Sequence, residues 1–427
     1  MTLAGRAVSP PRASAVTGGG GGGHGGGAAA AALSPKPPLR KDFLPKAAPP
    51  LPAHLAAAGA GDPARAPPPT PLLSLGLLAD IQTADIPDGA SFHGAARFYR
   101  AALDGARAAV AAFAGDGDPK NTNTNSSSSP GPVHAVLHLG DLLDAQAAPH
   151  AEELVARVLD LLSAAGVPTY HAVGNHCLAA LKREGVNRWL GPPAGVAGVR
   201  VPPHAPAPAP PSTSTPPSPP PSFPLAHSHY EADLAPDSSL RLIVLDGFAV
   251  SRFGWPAGHP LREEAEATLL VRNPNENKFS ADGLVGPDRR YVAFGGGLGA
   301  GQLDWLRGRL EDAAAAGARV ILACHLPLHP DTAPGVCLLW EYEAVLAAIR
   351  AVPPGTVIAA LGGHSHRDGA ATCEESGTHF RVLASVLETP PGQVCHARLD
   401  LFEEAVVIRG SGLAADTWAP VVGRRTG

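Results

Sequence analysis

The sequence predicts an α/β domain built on more than one sheet. Short apolar runs of strand length alternate with stretches of helical periodicity, and the chain then ends in strands. Five small polar clusters stand directly after predicted strands, where an open α/β sheet gathers groups into one crevice.

The elements follow in order. Residues 72–79 form a short apolar run that predicts a buried strand. Phe98, Ala102, Ala106, Val110 and Phe113 recur at helical spacing, which predicts a helix over 94–114. A strand at 134–139, an amphipathic helix at 151–165 and a strand at 168–173 come next. The same patterns predict a strand at 241–246, a helix at 301–316 and a strand at 319–323. A helix at 340–351 and a strand at 356–361 follow, then short strands near 380–387, 394–399 and 405–408.

Between these elements lie segments of another character. The chain of 427 residues carries 49 Gly and 47 Pro, concentrated in residues 1–70 and 191–224. Residues 1–70 are expected to be a disordered Ala/Gly/Pro-rich extension, with an organelle transit peptide as the alternative. Residues 71–412 are expected to be one catalytic domain with flexible inserts at 115–132 and 191–224, and 413–427 a C-terminal tail. Loops tolerate such insertions at modest entropic cost. No apolar run approaches a membrane span. The Gly runs lack the three-residue period of collagen.

The net charge is −5, and residues 1–70 hold seven Lys/Arg against two Asp, so the remainder is more acidic still. Such a body makes a poor nucleic-acid binder. The five cysteines lack paired spacing, which points to a reducing compartment. Cytoplasmic location is therefore expected, with a chloroplast or other organelle as the alternative. A monomer acting on a small nucleotide, with no membrane or nucleic-acid partner, is also expected.

The strand-end clusters are Asp80-Ile81-Gln82, Gly140-Asp141-Leu142-Leu143-Asp144, Gly174-Asn175-His176, Cys324-His325 and Gly362-Gly363-His364-Ser365-His366. Each alone is weak: a Gly-Asp after a strand is commonly a turn, and a single His commonly a core residue. Together they offer hard oxygen and borderline nitrogen donors to metal. Their order resembles the calcineurin-like metallophosphoesterases, whose pattern runs DxH, GDxxD, GNH[DE], H, GHxH. The resemblance spans 72 to about 408 and implies a four-layer α/β/β/α sandwich. Gln82 stands where most members carry His. DxQ resembles the Mn-dependent ADP-ribose/CDP-alcohol diphosphatase subfamily, as do ADIQTADIPDG with RFYR, the stretch NPNENKFSADGLVGPDRRYVAFGGGLGAGQLDWL and HLPLHPDTAPGVCLLWEYEAVLAAI.

The resemblance implies two divalent cations, Mn²⁺ first, with Mg²⁺, Fe or Zn²⁺ as alternatives. Asp80, Gln82 and His366 would hold one, Asn175, His325 and His364 the other, and Asp141 would bridge them. A shared carboxylate offsets cation repulsion, and the pair clamps the attacking and leaving oxygens of an in-line displacement. An amide oxygen in place of an imidazole hardens the first site toward Mn²⁺ or Mg²⁺. His176 would be the general acid or a transition-state hydrogen-bond donor to the leaving oxygen, oriented by Asp144. The substrate would be the pyrophosphate of ADP-ribose or a CDP-alcohol such as CDP-choline or CDP-glycerol. GDLLD also argues against a purple acid phosphatase, which would place a Tyr after the bridging Asp.

Two departures stand out. Cys177 replaces the usual acid after GNH, and a lowered rate or, as a minor alternative, a covalent nucleophile follows from it. The subfamily continues GHxH with DGG, whereas this chain reads Arg367-Asp368-Gly369, which puts a cation beside the ligands; Arg367 is assigned either to solvent or to a substrate phosphate. By resemblance Phe294, Cys337 and Trp340 belong to the substrate-side wall, with core packing as the alternative for Phe294 and Trp340. Asp85, Asp88, Arg97 and Arg100 line the entrance or start the first helix. Rival functions are a cyclic-nucleotide phosphodiesterase, a phosphomonoesterase, or a catalytically weak metal- or nucleotide-binding protein.

Overall fold

The computed structural model describes residues 70–91, 94–115, 131–202 and 228–422. The extension expected before residue 70 and most of both inserts lie outside the described residues.

β1 (Leu73–Leu78) opens the first sheet. A short ribbon of β2 (Gly89–Ala90) and β3 (Ala96–Arg97) leads into α1 (Ala102–Phe113). β4 (Ala135–His138), α2 (Ala151–Ser163), β5 (Thr169–His171) and α3 (Asn175–Leu190) follow. Next come β6 (Tyr230–Asp233), β7 (Leu240–Leu245), α4 (Pro260–Arg272), α5 (Gly299–Ala315) and β8 (Arg319–Cys324). After α6 (Tyr342–Arg350) and β9 (Val357–Gly362) the chain forms β10 (Gly369–Thr372) and β11 (His379–Val382). β12 (Cys395–Leu401), β13 (Ala405–Gly412) and β14 (Thr417–Pro420) end it.

Two six-stranded sheets result, ordered β14-β13-β12-β1-β4-β5 and β10-β11-β9-β8-β7-β6. Alternate side chains explain the layering. Leu75, Leu77, Leu137 and Leu139 of the first sheet meet Leu242, Val244, Ile321 and Ala323 of the second. Their neighbours Leu78, Val136, Ile243 and Leu322 point outward under the helices. Each such fully buried aliphatic side chain contributes roughly 1.5–3 kcal/mol. The four-layer α/β/β/α arrangement expected from the resemblance is present.

Three differences from the sequence reading have local causes. The helix expected over 94–114 begins only at Ala102, because Ala96 and Arg97 pair with β2 and the Phe98 N–H goes to Leu387 O at 2.9 Å. α3 was not anticipated, because it breaks at Lys182 (φ 60°) into two pieces too short to show a period. The expected tail from 413 is corrected by β14, whose Trp418 pairs with Val407 and packs on Phe402, Ala405 and Val407. Four residues carry little periodicity; the neighbouring strand supplies the register.

Candidate metal centre

β1, β4 and β5 run parallel in one sheet, and β7, β8 and β9 in the other. All five polar clusters therefore leave their strands at the same end. Past the strand ends the chain keeps pairing: Asp80 N–H donates to Gly140 O at 3.0 Å and Gln82 N–H to Asp141 O at 2.8 Å. Asp144 N–H then donates to Thr83 O at 3.1 Å, which sets the second loop against the first.

The backbone is bent to present these side chains. Among the described residues, seven that are not glycine have positive φ, and five of them are Asp80 (51°), Gln82 (40°), Asp141 (56°), His364 (66°) and His366 (59°). Such conformations are strained for L-residues and collect at functional sites. Gly174 makes room for the cluster: a Cβ there would lie 2.0 Å from Asp141 Oδ1. Gly140 has φ 101°, and its Cβ would lie 2.2 Å from His325 Nδ1.

The expected ligands gather into two adjoining groups. Gln82 Nε2 lies 2.8 Å from His366 Nε2 and 3.2 Å from Asp80 Oδ1, and His366 Nε2 lies 3.4 Å from Asp80 Oδ1. In the second group His325 Nε2 is 3.2 Å from Asp141 Oδ2 and 3.3 Å from His364 Nδ1. Asp141, His325 and His364 present ligand atoms within 4.8 Å of one another. Asp141 Oδ2 also lies 3.4 Å from Gln82 Nε2, so this carboxylate stands between the groups. Asn175 opens α3 and is buried. His325 is aimed by its Nδ1, 2.7 Å from Leu139 O.

Two buried amide oxygens, Gln82 Oε1 and Asn175 Oδ1, have no hydrogen-bond partner. Leaving buried acceptors unpaired costs about 1–3 kcal/mol each. With two carboxylates and three imidazoles around them, this donor set suits divalent cations of the Mn²⁺ class.

Charge within the cluster is finely opposed. Burial works to raise the Asp80 carboxyl, but His366 and His325 hold it below the usual range. Burial likewise opposes ionisation of Asp141, and His325 with His176 more than offsets it. Burial and then His325 push His364 down to about 3, which leaves it neutral. His366 goes the other way, to about 9: burial opposes its charge, but Asp80 and Glu388 favour it. A cation held there would have to displace that proton.

His176 is beside this cluster and part-exposed. Its backbone N–H donates to Asp141 Oδ1 at 2.8 Å, and its Nδ1 lies 3.0 Å from Asp144 Oδ2. Burial works to raise Asp144, while the His176 bond holds it low, so a carboxylate faces the ring. Arg97 Nη1 stands 3.8 Å behind it. Arg100 instead pairs with Asp85 at the surface at 2.8 Å. Cys177 is fully buried, its Sγ accepting the Leu142 and Leu143 N–H groups at 3.1 and 3.4 Å. Burial raises this thiol far above neutrality. The covalent-nucleophile alternative is thereby corrected: a protonated thiol with no access is a turn anchor.

The expected substrate-side residues separate. Phe294 is half-buried, with its ring centroid 6.1 Å from that of His364 and 6.5 Å from that of Phe279. Cys337 is half-buried, and burial followed by Asp80 pushes its thiol up to about 12. Arg367 is exposed, its N–H donating to Ser365 Oγ at 3.3 Å. Trp340 is a correction: it is 3% exposed, packs with Tyr291 and Ala293, and donates Nε1–H to Arg290 O at 2.9 Å. A ring so enclosed belongs to the core.

Glu388 was missed. Its Oε1 lies 2.8 Å from His366 Nδ1. The only sequence signal is an acid in a short Glu-Thr-Pro turn after a strand, which is too common to single out.

Residues 75–368 match the calcineurin-like phosphoesterase family. A relative from Oryza sativa subsp. japonica named manganese-dependent ADP-ribose/CDP-alcohol diphosphatase is 35% identical over 81% of this chain and 94% of its own length. One of the same name from Arabidopsis thaliana is 32% identical over 80% of this chain and 94% of its own. Among solved structures, a dimetal phosphatase from Danio rerio superposes with a TM-score of 0.66 at 25% identity, covering 82% of this chain and 100% of that one. With five strand-end clusters converging as described, this chain belongs to the calcineurin-like phosphoesterases, in the group whose relatives are named manganese-dependent ADP-ribose/CDP-alcohol diphosphatases.

Proposed function

We propose that this chain hydrolyses the pyrophosphate bond of ADP-ribose and CDP-alcohols, giving a nucleoside monophosphate and a phosphorylated sugar or alcohol. The observation that carries it is Asp141, standing between the two ligand groups while accepting the His176 N–H. Support for the substrate class comes from the relatives' names and from the DxQ segment shared with that subfamily.

Asp80, Gln82 and His366 would hold one Mn²⁺, and Asn175, His325 and His364 the other, with Asp141 bridging. Two such cations supply charge neutralisation of the phosphoryl oxygens and a water acidic enough to attack at neutral pH. Gln82 would hold the cation through its amide oxygen, with the Nε2 and Oε1 positions exchanged about the terminal torsion. Asp144 Oδ2, 3.0 Å from His176 Nδ1, faces the ring and, with the Ala145 N–H 3.3 Å from that nitrogen, would orient it. His176 Nε2 then donates its proton to the oxygen leaving between the two phosphoryl groups. Arg367 contacts a substrate phosphate, while Phe294 and Cys337 line the substrate side.

The five free cysteines support a reducing compartment, the cytoplasm in this reading, where the protein acts as a monomer on a free nucleotide. No helix among the described residues is long and apolar enough to cross a membrane.

The test is a substrate panel with Mn²⁺: ADP-ribose, CDP-choline, a cyclic nucleotide and a phosphomonoester, with products resolved by chromatography. Cleavage of the two diphosphates to AMP and CMP is expected. Turnover of the phosphomonoester or cyclic nucleotide alone would replace this substrate class.

A further inference from the structure

Residues 385–388 touch the two ends of one ligand group. Ser385 Oγ donates to Asp80 O at 3.1 Å, and the Leu387 N–H donates to the same oxygen at 3.0 Å. Val386 N–H bonds Ala79 O at 3.2 Å, and Ser385 N–H reaches His366 O at 3.4 Å. Glu388 completes the set, with Oε1 2.8 Å from His366 Nδ1, and its own N–H donates to Ser385 Oγ at 3.3 Å. Among the described residues nothing equivalent serves the other group: His325 leans on a neutral carbonyl, Leu139 O, and the His364 Nε2 atom is buried without a partner.

Gln82 makes this asymmetry matter. With Nε2 and Oε1 exchanged about its terminal torsion it would offer a neutral amide oxygen, where an imidazole would be a stronger donor. A carboxylate bonded to the far nitrogen of a ligating histidine fixes its tautomer and raises its basicity, and loss of such a partner typically lowers metal affinity roughly 10–100-fold. Glu388 directs the Nδ1–H outward and leaves the Nε2 lone pair facing Asp80 and Gln82.

We infer that Glu388 is a positioning residue for one cation only, the one held by Asp80, Gln82 and His366, and that it compensates there for the weak Gln82 donor. The inference rests on the two-cation reading of the centre.

The test is Mn²⁺ binding to the metal-free full chain, read by the electron paramagnetic resonance signal of free Mn²⁺ and independent of any substrate. Wild type is expected to take two equivalents. Glu388→Gln keeps an acceptor but removes the charge, and Glu388→Ala removes both. Each should weaken one class of site, about 10–100-fold in the alanine variant and less in the glutamine variant, with the other class unchanged. His366→Ala should lose the same class. Two equivalents bound with wild-type affinity in Glu388→Gln and Glu388→Ala, or equal weakening of both classes, would overturn the inference. If the alanine variant fails to fold, the glutamine variant alone decides. Wild type that binds two Mn²⁺ without cleaving any diphosphate would remove the proposed function and leave this test standing.

Discussion

The Asp144 carboxylate lies 3.0 Å from His176 Nδ1, and the backbone N–H of that same His176 lies 2.8 Å from Asp141. One residue at the start of α3, the proposed proton donor, thus contacts both Asp144 and Asp141, the proposed bridging carboxylate. Asp144 touches no other expected ligand. Asp144→Asn should lower kcat about 10–100-fold and leave two Mn²⁺ equivalents bound, whereas His176→Ala should lose about 10²–10⁴-fold. Loss of bound Mn²⁺ in Asp144→Asn, measured by metal analysis, would assign it a different role.

Gly174 leaves no space for a side chain, since a Cβ would sit 2.0 Å from Asp141 Oδ1. Gly174→Ala should lower stability by about 1–3 kcal/mol and displace Asp141, so that Mn²⁺ affinity falls as well. Urea unfolding and Mn²⁺ titration read the two effects separately. An alanine variant with wild-type values in both would show that the turn relaxes freely.

In the proposed centre Gln82 is the residue that would set the hardness of its group. Gln82→His should restore an imidazole and shift preference toward Zn²⁺, raising the Zn²⁺/Mn²⁺ ratio of binding constants. Competition titration against a chelator measures this ratio, and an unchanged ratio would place the selectivity elsewhere.

Cys177 anchors two backbone N–H groups of the Asp141 loop. Cys177→Ala should cost about 1–3 kcal/mol of stability through those unpaired donors, with kcat within a few-fold of wild type at temperatures where the variant is folded. Inactivation of folded wild type by a thiol reagent at Cys177, located by mass spectrometry, would contradict its placement.

His138 and His171 face each other across β4 and β5, ring centroids 5.6 Å apart, and neither His138 nitrogen has a partner. Burial, then the neighbouring His171, holds His138 down to about 3, and burial holds His171 to about 4, against an ordinary 6.5. The unfolded chain therefore binds protons below pH 6.5 that the folded chain refuses. This contribution to stability is full above that pH and is lost as pH falls toward the two folded values. The urea midpoint of the metal-free protein should drop steadily between about pH 6.5 and 4, and His138→Leu should flatten that slope. An identical slope in the variant would mean another group titrates.

Much of the centre was legible because each ligand follows a strand, and strands of four to six apolar residues are visible in a sequence. Asp80, Asp141, His325 and His364 could be brought together on that ground, while their ligand roles came from the resemblance. Glu388 could not, because its relation to His366 depends on the return of the chain beside β1, a contact that no local pattern encodes. Trp340 failed for the converse reason: an aromatic in a ligand-rich segment looks like a binding wall until its Nε1–H is seen bonded to Arg290 O. Cys177 looked like a lost acid, yet its thiol occupies a place where an acceptor for two N–H groups is needed.

The most direct test of the two-cation centre is Mn²⁺-dependent release of AMP from ADP-ribose by wild type and by Asp141→Ala. The expected result is turnover by wild type that disappears with chelator and returns with Mn²⁺, and a loss of at least about 10³-fold on removal of the bridging carboxylate. Turnover by Asp141→Ala at the wild-type rate, or full wild-type activity in the presence of chelator, would contradict it.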